Sequence, residues 1–435
     1  MDRLPGFRDF YPEPLPHKDV WSADARCYIF DTWKKVMRRY GFREYDGPPL
    51  EPLELYTLKS GEEIVGQLYN FTDKGERNVS MRPEMTPTLA RMVAAHERNY
   101  RKPIKWFSIP QLFRYERQQK GRLREHFQLN ADIFGEASSS ADAEIICLLI
   151  DILRAFGLTA EDFVIRLSSR RAWSEFFSKR CPDPAKAYEF YQIVDKLERE
   201  DPDVSKQKLA ALGFSYEEVT AFIASGEPTE ELKAILDNLS ARGFADFVKV
   251  DYGVIRGLAY YTGPVFEAFD RKGHFRAIAG GGRYDNLTNL ISGGKFDPAS
   301  NTVKGGKVDI PSLGFGMGDV VLTELLKERG LLPAFSPSAD ICVLIEDETL
   351  RSQSLSAVQA LRNADFSTEY SLVPLKAEKQ FKRAIELKAR WTFRMEKQEN
   401  GTPVCIVKNM ATREEHRFAS TEEAIQYFKS NPVNQ

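Results

Sequence analysis

"LFRYERQQKGRLREHFQLNADIFG", residues 112–135, decides how the rest of the chain is read. Arg114, Arg117, Lys120, Arg122 and Arg124 fall within eleven positions in which Glu116 is the sole acid. On either side, "IKWFSIPQLFRYE" and "HFQLNADIFG" are rich in aromatic and β-branched residues, so the stretch predicts a long antiparallel hairpin with a cationic tip. Charge at a hairpin tip is by default solvated surface. Arg114 argues for more, because Leu112, Phe113 and Tyr115 give it a partly buried setting in which a planar guanidinium needs a partner, and a phosphate suits it.

Working outward, apolar residues recur every three to four positions over residues 19–40 and Gly41 follows, which predicts an amphipathic helix with a glycine C-cap. "FREYDGPPLEPLELY" reads as a strand leading into a bent loop, because its prolines forbid helix. A helix starts near "RPEMTPTLARMVAAHERNY". Another spans "SSADAEIICLLIDILRAFG", with Ser139 and Asp142 at capping-box spacing and Gly157 as its stop. Residues 170–242 turn charged and helical, as an insertion would. Strand-like segments return at "FVKVDYGVIRGLAYYTGPVFEAFD" and "FRAIAGGGRYDNL", followed by a helix at "GDVVLTELLKERG". The Pro-containing stretch at residues 331–339 reads as a linker, and residues 340–435 as a small α/β domain.

The chain has 435 residues, enough for two or three domains, and its 42% hydrophobic and 29% charged content is that of a globular protein. A net charge of −2 supplies no general field for nucleic acid, so phosphate recognition has to come from local clusters. Five scattered cysteines without a CxxC pair argue against a zinc site or a disulfide framework, and no protein-held metal is expected. No apolar run approaches the roughly 18 residues of a membrane span, and the start of the chain lacks a signal-peptide core. A soluble, cytoplasmic protein without a membrane partner is the expectation.

Further segments carry possible chemistry. "MRPEMTP", residues 81–87, sets Glu84 and Thr86 after a proline, a pattern that helix capping alone explains. "GVIRGLAYYTGPVFE", residues 253–267, joins an arginine, glycines that permit close approach of a ligand, and paired tyrosines. "AGGGRYDNL" and "GFGMGD" add two glycine clusters. The GxxxxGK[ST] phosphate loop, the Rossmann fingerprint and the Gly-x-Ser-x-Gly elbow are all absent, so any ATP site uses another scaffold.

In this order and at these spacings the segments resemble the histidyl-tRNA synthetase family of class II aminoacyl-tRNA synthetases, essentially end to end. "LPGFRDFYP" resembles the family's start, and "YGFREYDGPPLE" its motif 1, with Pro48 as the motif's proline. "FRYERQQKGRLREHFQ" is similar to motif 2, "RGLAYYTG" and "GGGRYD" to two histidine-specific signatures, "PSLGFGMGD" to motif 3, and the "KQFKRAIELKARW" and "VCIVKNM" segments to the anticodon-binding domain. The resemblance implies an α+β fold: a class II antiparallel sheet flanked by helices over residues 1–330, with a helical insertion and a C-terminal α/β anticodon-binding domain. It also implies ATP-dependent ligation of L-histidine to tRNA(His) through a histidyl adenylate, with Mg²⁺ held mainly by the triphosphate and a homodimer formed through motif 1.

By position, the resemblance gives Glu84 and Thr86 the histidine ammonium group. Gln128, Asp132, Tyr260 and Tyr261 take the carboxylate side and imidazole. Arg114 takes the ATP α-phosphate, Glu116 and Arg122 the adenosine end, and Arg256 is the main catalytic cation. The chain departs from the family's pattern in three places: Val321 replaces the motif 3 arginine, Asp132 replaces a glutamate one methylene longer, and Ala259 replaces an aspartate. With the shorter acid, a water or a shifted tyrosine would complete the imidazole contact. These departures admit a second reading, a non-aminoacylating paralogue such as the regulatory subunit of ATP phosphoribosyltransferase, although that relative normally lacks the arginine-glycine-leucine-tyrosine signature and the anticodon domain. A generic RNA-binding module is a third.

Overall fold

The computed structural model describes residues 2–60, 62–115, 123–197, 200–255, 261–297, 302–335 and 339–431. The chain divides into two compact units, Met1–Asp9 with Ala25–Leu332, and Phe10–Asp24 with Pro333–Gln435. The first contains a mixed sheet whose strands, in chain order, are β1 (Arg43–Glu44), β2 (Ile104–Ser108), β3 (Gln111–Phe113), β4 (Glu125–Phe134), β5 (Phe163–Ser169), β6 (Val248–Val250), β7 (Pro264–Asp270), β8 (Ala279–Arg283) and β9 (Ser312–Gly318). Their spatial order is β6-β5-β7-β8-β9-β4-β2-β1, with β3 also on β4. The two outer pairs, β6 with β5 and β2 with β1, are parallel; the rest are antiparallel. The predicted hairpin is therefore present, with its first arm split into β2 and β3 around Pro110.

Helix α1 (Ala23–Arg39) buries Ile29, Trp33, Val36 and Met37, and Gly41 ends it at φ +74°, a left-handed conformation that glycine adopts without steric cost. Helix α2 is Thr86–His96 and α3 is Ser139–Ala155. Residues 145–150 of α3 are all fully buried, which makes it the centre of the main core. The capping box expected at Ser139 and Asp142 does not form. Ser138 is the N-cap and makes no side-chain cap bond, while Asp142 is buried and paired with Arg283 at 2.7 Å. A buried carboxylate gains more from a guanidinium than from backbone N–H groups at an exposed cap.

The insertion consists of α4 (Arg170–Ser178), α5 (Ala187–Lys196), α6 (Pro202–Ala211), α7 (Tyr216–Ser225) and α8 (Glu230–Ala241). Side chains of Asp201, Ser215 and Thr229 cap three of them. Trp173, Phe176, Phe190 and Phe222 stack at ring separations of 4.8 to 6.3 Å, which joins the insertion to the main core. Helix α9 (Asp319–Glu328) follows β9. Val321, half-buried on α9, packs against the main core.

The second unit has a sheet with strand order Thr368–Tyr370, Ile341–Leu344, Trp391–Lys397, Pro403–Asn409, Glu415–Phe418, the first three parallel to one another. Helices Arg351–Asn363, Ala377–Glu386 and Thr421–Ser430 accompany it.

Register gives the large sheet two different faces. One carries Leu167, Phe266, Phe315, Ala131 and Phe107 in neighbouring positions and packs into the core with α3. The other carries the row Ser168, Val265, Gly282, Gly314, Asp132, Trp106, and beside it Arg166, Glu267, Gly280, Gly316, Asn130, Ser108. At the β2 end α2 covers this second face, with Leu89, Ala90 and Val93 packed among Ile104, Phe134 and Tyr284.

Arg8 ties the start of the chain to this frame. Its Nε donates to Glu125 at 2.6 Å and its Nη1 to Asp319 at 2.9 Å, all three side chains being buried. Asp319 Oδ1 also accepts the Phe127 amide at 3.0 Å, and Gln111 Nε2 donates to Glu125 at 3.0 Å. Arg8→Met strands two buried carboxylates, so we expect a loss of about 3–5 kcal/mol, measured as a shifted midpoint in denaturant; an unchanged midpoint would contradict the network.

Candidate active site

The central strands of the second face carry glycines, and side chains of the neighbouring strands occupy the space over them. A Cβ on Gly314 would lie 2.2 Å from Asp132 Oδ1, and one on Gly316 would lie 2.8 Å from the amide of Gln128. A Cβ on Gly282 would meet Pro264 O at 2.7 Å and Tyr261 Cδ1 at 3.1 Å. The glycines form a floor over which Gln128 and Asp132 reach from one border and Tyr261 from the other.

Asp132 is strongly perturbed. Tyr284 donates its hydroxyl to Asp132 Oδ1, and Oδ2 is buried without a hydrogen-bond partner. Burial pushes the Asp132 carboxyl up to about 7, against the lowering effect of the Tyr284 bond. The Tyr261 and Tyr284 rings lie 6.4 Å apart, and burial followed by the charge of Asp132 keeps the Tyr45 hydroxyl neutral. An acid with one oxygen fixed and one unsatisfied, among tyrosines, fits a ligand N–H such as that of an imidazole.

Arg114 meets the segment that carries Glu84 and Thr86 through Pro83. Arg82 donates from Nε to Gln111 O at 3.1 Å, the Phe113 amide donates to Arg82 O at 3.0 Å, and Arg114 Nε donates to Pro83 O at 3.1 Å. The segment before α2 thus runs along β3, with Glu84 next in sequence to Pro83, the partner of the half-buried Arg114. Capping does not explain Glu84: α2 begins at Thr86 with Met85 as its N-cap and has no acid in its first turn.

Of the residues singled out from sequence, the structure thus places Glu84, Thr86, Arg114, Gln128, Asp132 and Tyr261. Arg256, Tyr260, Glu116 and Arg122 lie outside the described residues. Among the described residues no group of three or more His, Cys, Asp or Glu could hold a metal ion.

The sequence reading missed several neighbours. Arg283 is buried and binds Asp142 at 2.7 Å, Asp285 at 3.2 Å and the Glu136 carbonyl at 3.0 Å. Thr262 donates its amide to Arg283 O at 2.7 Å and exchanges side-chain bonds with Asp285, which fixes the stretch after Tyr261. "GGGRYD" was the available signal: its arginine, tyrosine and aspartate all hold the site in shape. His126 shares the face of Gln128, beside Gly318. Burial, then Arg114 and Arg8, pushes its pKa down to about 3, so its ring is neutral at physiological pH.

The raised pKa of Asp132 sets a pH dependence. An unfolded aspartate titrates near ~4, so between about 4 and about 7 the folded chain holds a proton that the unfolded chain lacks. That contribution is complete below the lower value and is lost as pH rises through the upper one. Asp132→Asn removes the titration while keeping an acceptor for Tyr284. Its melting temperature relative to wild type is expected to be higher at pH 8 than at pH 5; a pH-independent difference would contradict the burial argument.

Known proteins share both sequence and fold. A family model described as histidyl-tRNA synthetase matches residues 21–300. The histidine--tRNA ligase of Opitutus terrae is 43% identical, covering 95% of this chain and 94% of that protein, and that of Leptospira biflexa serovar Patoc is 38% identical, covering 98% and 96%. The crystal structure of histidyl-tRNA synthetase from Nostoc sp. PCC 7120 matches the fold with a TM-score of 0.73 at 22% identity, covering 96% of this chain and 97% of that one. This chain belongs to the histidyl-tRNA synthetase family, and its α+β architecture is that of the class II synthetases with a C-terminal domain.

Proposed function

We propose that this member of the histidyl-tRNA synthetase family activates L-histidine with ATP and transfers it to tRNA(His). The observation that carries the histidine specificity is Asp132, whose unpartnered buried oxygen meets one imidazole nitrogen while Tyr284 holds the other oxygen. Tyr260 and Tyr261 complete the imidazole pocket, Gln128 takes the carboxylate side, and Glu84 with Thr86 takes the ammonium group. The tyrosine that completes the shorter acid is Tyr284, from "GGGRYD".

Attack of the histidine carboxylate on the α-phosphorus brings two anions together, so the protein's task is positioning and positive charge. Arg114, aimed from the rim by its bond to Pro83, grips the α-phosphate, and Arg256 stabilises the charge that develops during attack. Glu116 and Arg122 serve the adenosine end. Mg²⁺ enters on the triphosphate and offsets its charge. The 3′-terminal ribose hydroxyl of the tRNA then takes the histidyl group. The unit that includes Pro333–Gln435 reads the anticodon, and the chain works in the cytoplasm as a homodimer paired through the motif 1 region around Pro48.

A regulatory paralogue that does not aminoacylate is not favoured, since the relatives spanning nearly the whole chain are ligases. The deciding experiment is histidine-dependent exchange of pyrophosphate into ATP by the pure protein; absence of exchange sinks the reading. Arg256→Ala is expected to slow exchange by more than ~100-fold, roughly 3 kcal/mol for one preorganised charge. Asp132→Ala is expected to raise the Michaelis constant for histidine chiefly, so an unchanged constant would remove it from the imidazole pocket.

A further inference from the structure

Arg170, the first residue of α4, is half-buried, with a guanidinium that the proposed chemistry does not use. Its Nη1 is buried without a hydrogen-bond partner, and among the described residues no carboxylate pairs with it. The adjacent Arg171 does have one, Glu231 at 3.4 Å. What holds Arg170 is the ring of Tyr191, 3.8 Å below its guanidinium carbon, and Tyr191 is itself fixed among Phe177 and Phe190 in the insertion. Burial lowers the pKa of Arg170. An arginine desolvated without a counter-ion costs stability, and a stacked aromatic ring offsets only part of that.

Its location relates this cation to the site. The Arg170 amide donates to Gly263 O at 3.0 Å, two residues beyond Tyr261, and the intervening Thr262 is locked to Arg283 and Asp285. Ser168, at the end of the row that begins at Asp132, has a buried hydroxyl without a partner. β5, which ends one residue before Arg170, and β4, on which β3 pairs just before Arg114, are separated by four strand spacings, about 19 Å. One nucleotide phosphate does not contact both.

We propose that Arg170, stacked on Tyr191, is an anion site for a backbone phosphodiester next to the 3′-terminal nucleotide of the tRNA. The inference rests on the functional reading above. With the triphosphate at Arg114 and the histidine carboxylate over the floor, the RNA backbone is the remaining anionic reactant. The planar fork of arginine suits a phosphodiester, and stacking fixes its plane.

The test compares Arg170→Met with wild type, using a tRNA(His) transcript. Histidine-dependent pyrophosphate exchange, which needs no tRNA, is expected to stay within about twofold, while kcat/KM for the tRNA falls about tenfold or more, as for a lost charge-assisted contact. The slope of log kcat/KM against log salt is expected to be shallower by somewhat under ~1, the signature of one lost phosphate contact. The melting temperature is expected to hold or rise, because an unpaired buried charge has been removed. The proposal is overturned if exchange falls in parallel with aminoacylation, if tRNA kinetics are unchanged, or if the variant melts several degrees lower, which would assign Arg170 to the fold. Absence of exchange in the wild-type protein would instead refute the functional reading itself.

Discussion

Glycine in two adjacent central strands is the constraint on which the site depends. In β8 and β9 the residues facing away from the main core include Gly280, Gly282, Gly314 and Gly316, so a sheet packed on its other face by α3 leaves room there for Asp132, Gln128 and Tyr261. The same backbones approach so closely that even the core-facing Gly281 has no room: a Cβ there would lie 2.1 Å from Gly314 O. Polar side chains from the bordering strands fill the rim, and buried charges nearby need counter-charges. Asp142 and Asp285 supply these for Arg283, and Glu125 and Asp319 for Arg8.

Much of this was legible in the chain, for identifiable reasons. The hairpin, the helices and the insertion follow from periodicity and from helix stops such as Gly41 and Gly157, both at positive φ. Glu84, Gln128 and Asp132 are singled out through resemblance to a family, because spacing alone gives them no reason. Asp142 shows why local patterns mislead: its spacing from Ser139 fits a cap, while its partner lies 141 positions away in Arg283. Pairings of that range leave no local trace. Arg8 in "FRDF", Glu125 within a basic tract and Asp319 at a helix start each look like ordinary surface charge until the fold joins them.

Val321 is half-buried on α9 and packs against the main core, a setting that suits an apolar side chain. Beside it, Asp319 is neutralised by Arg8 from the other end of the chain. The start of α9 is therefore organised by an ion pair on one side and apolar packing on the other.

Arg8 and Asp319 are separated by 311 positions. During synthesis the first of these residues leaves the ribosome long before the second is made, and Glu125 meanwhile has Arg8 without the second carboxylate. Loop-closure entropy grows slowly with length, so the long span costs the finished protein little, but contacts of such range form late. The Asp319 anchor of the Phe127 amide is thus absent until most of the chain has been made. A chain interrupted before α9 has the hairpin's residues but not the anchor that sets their place.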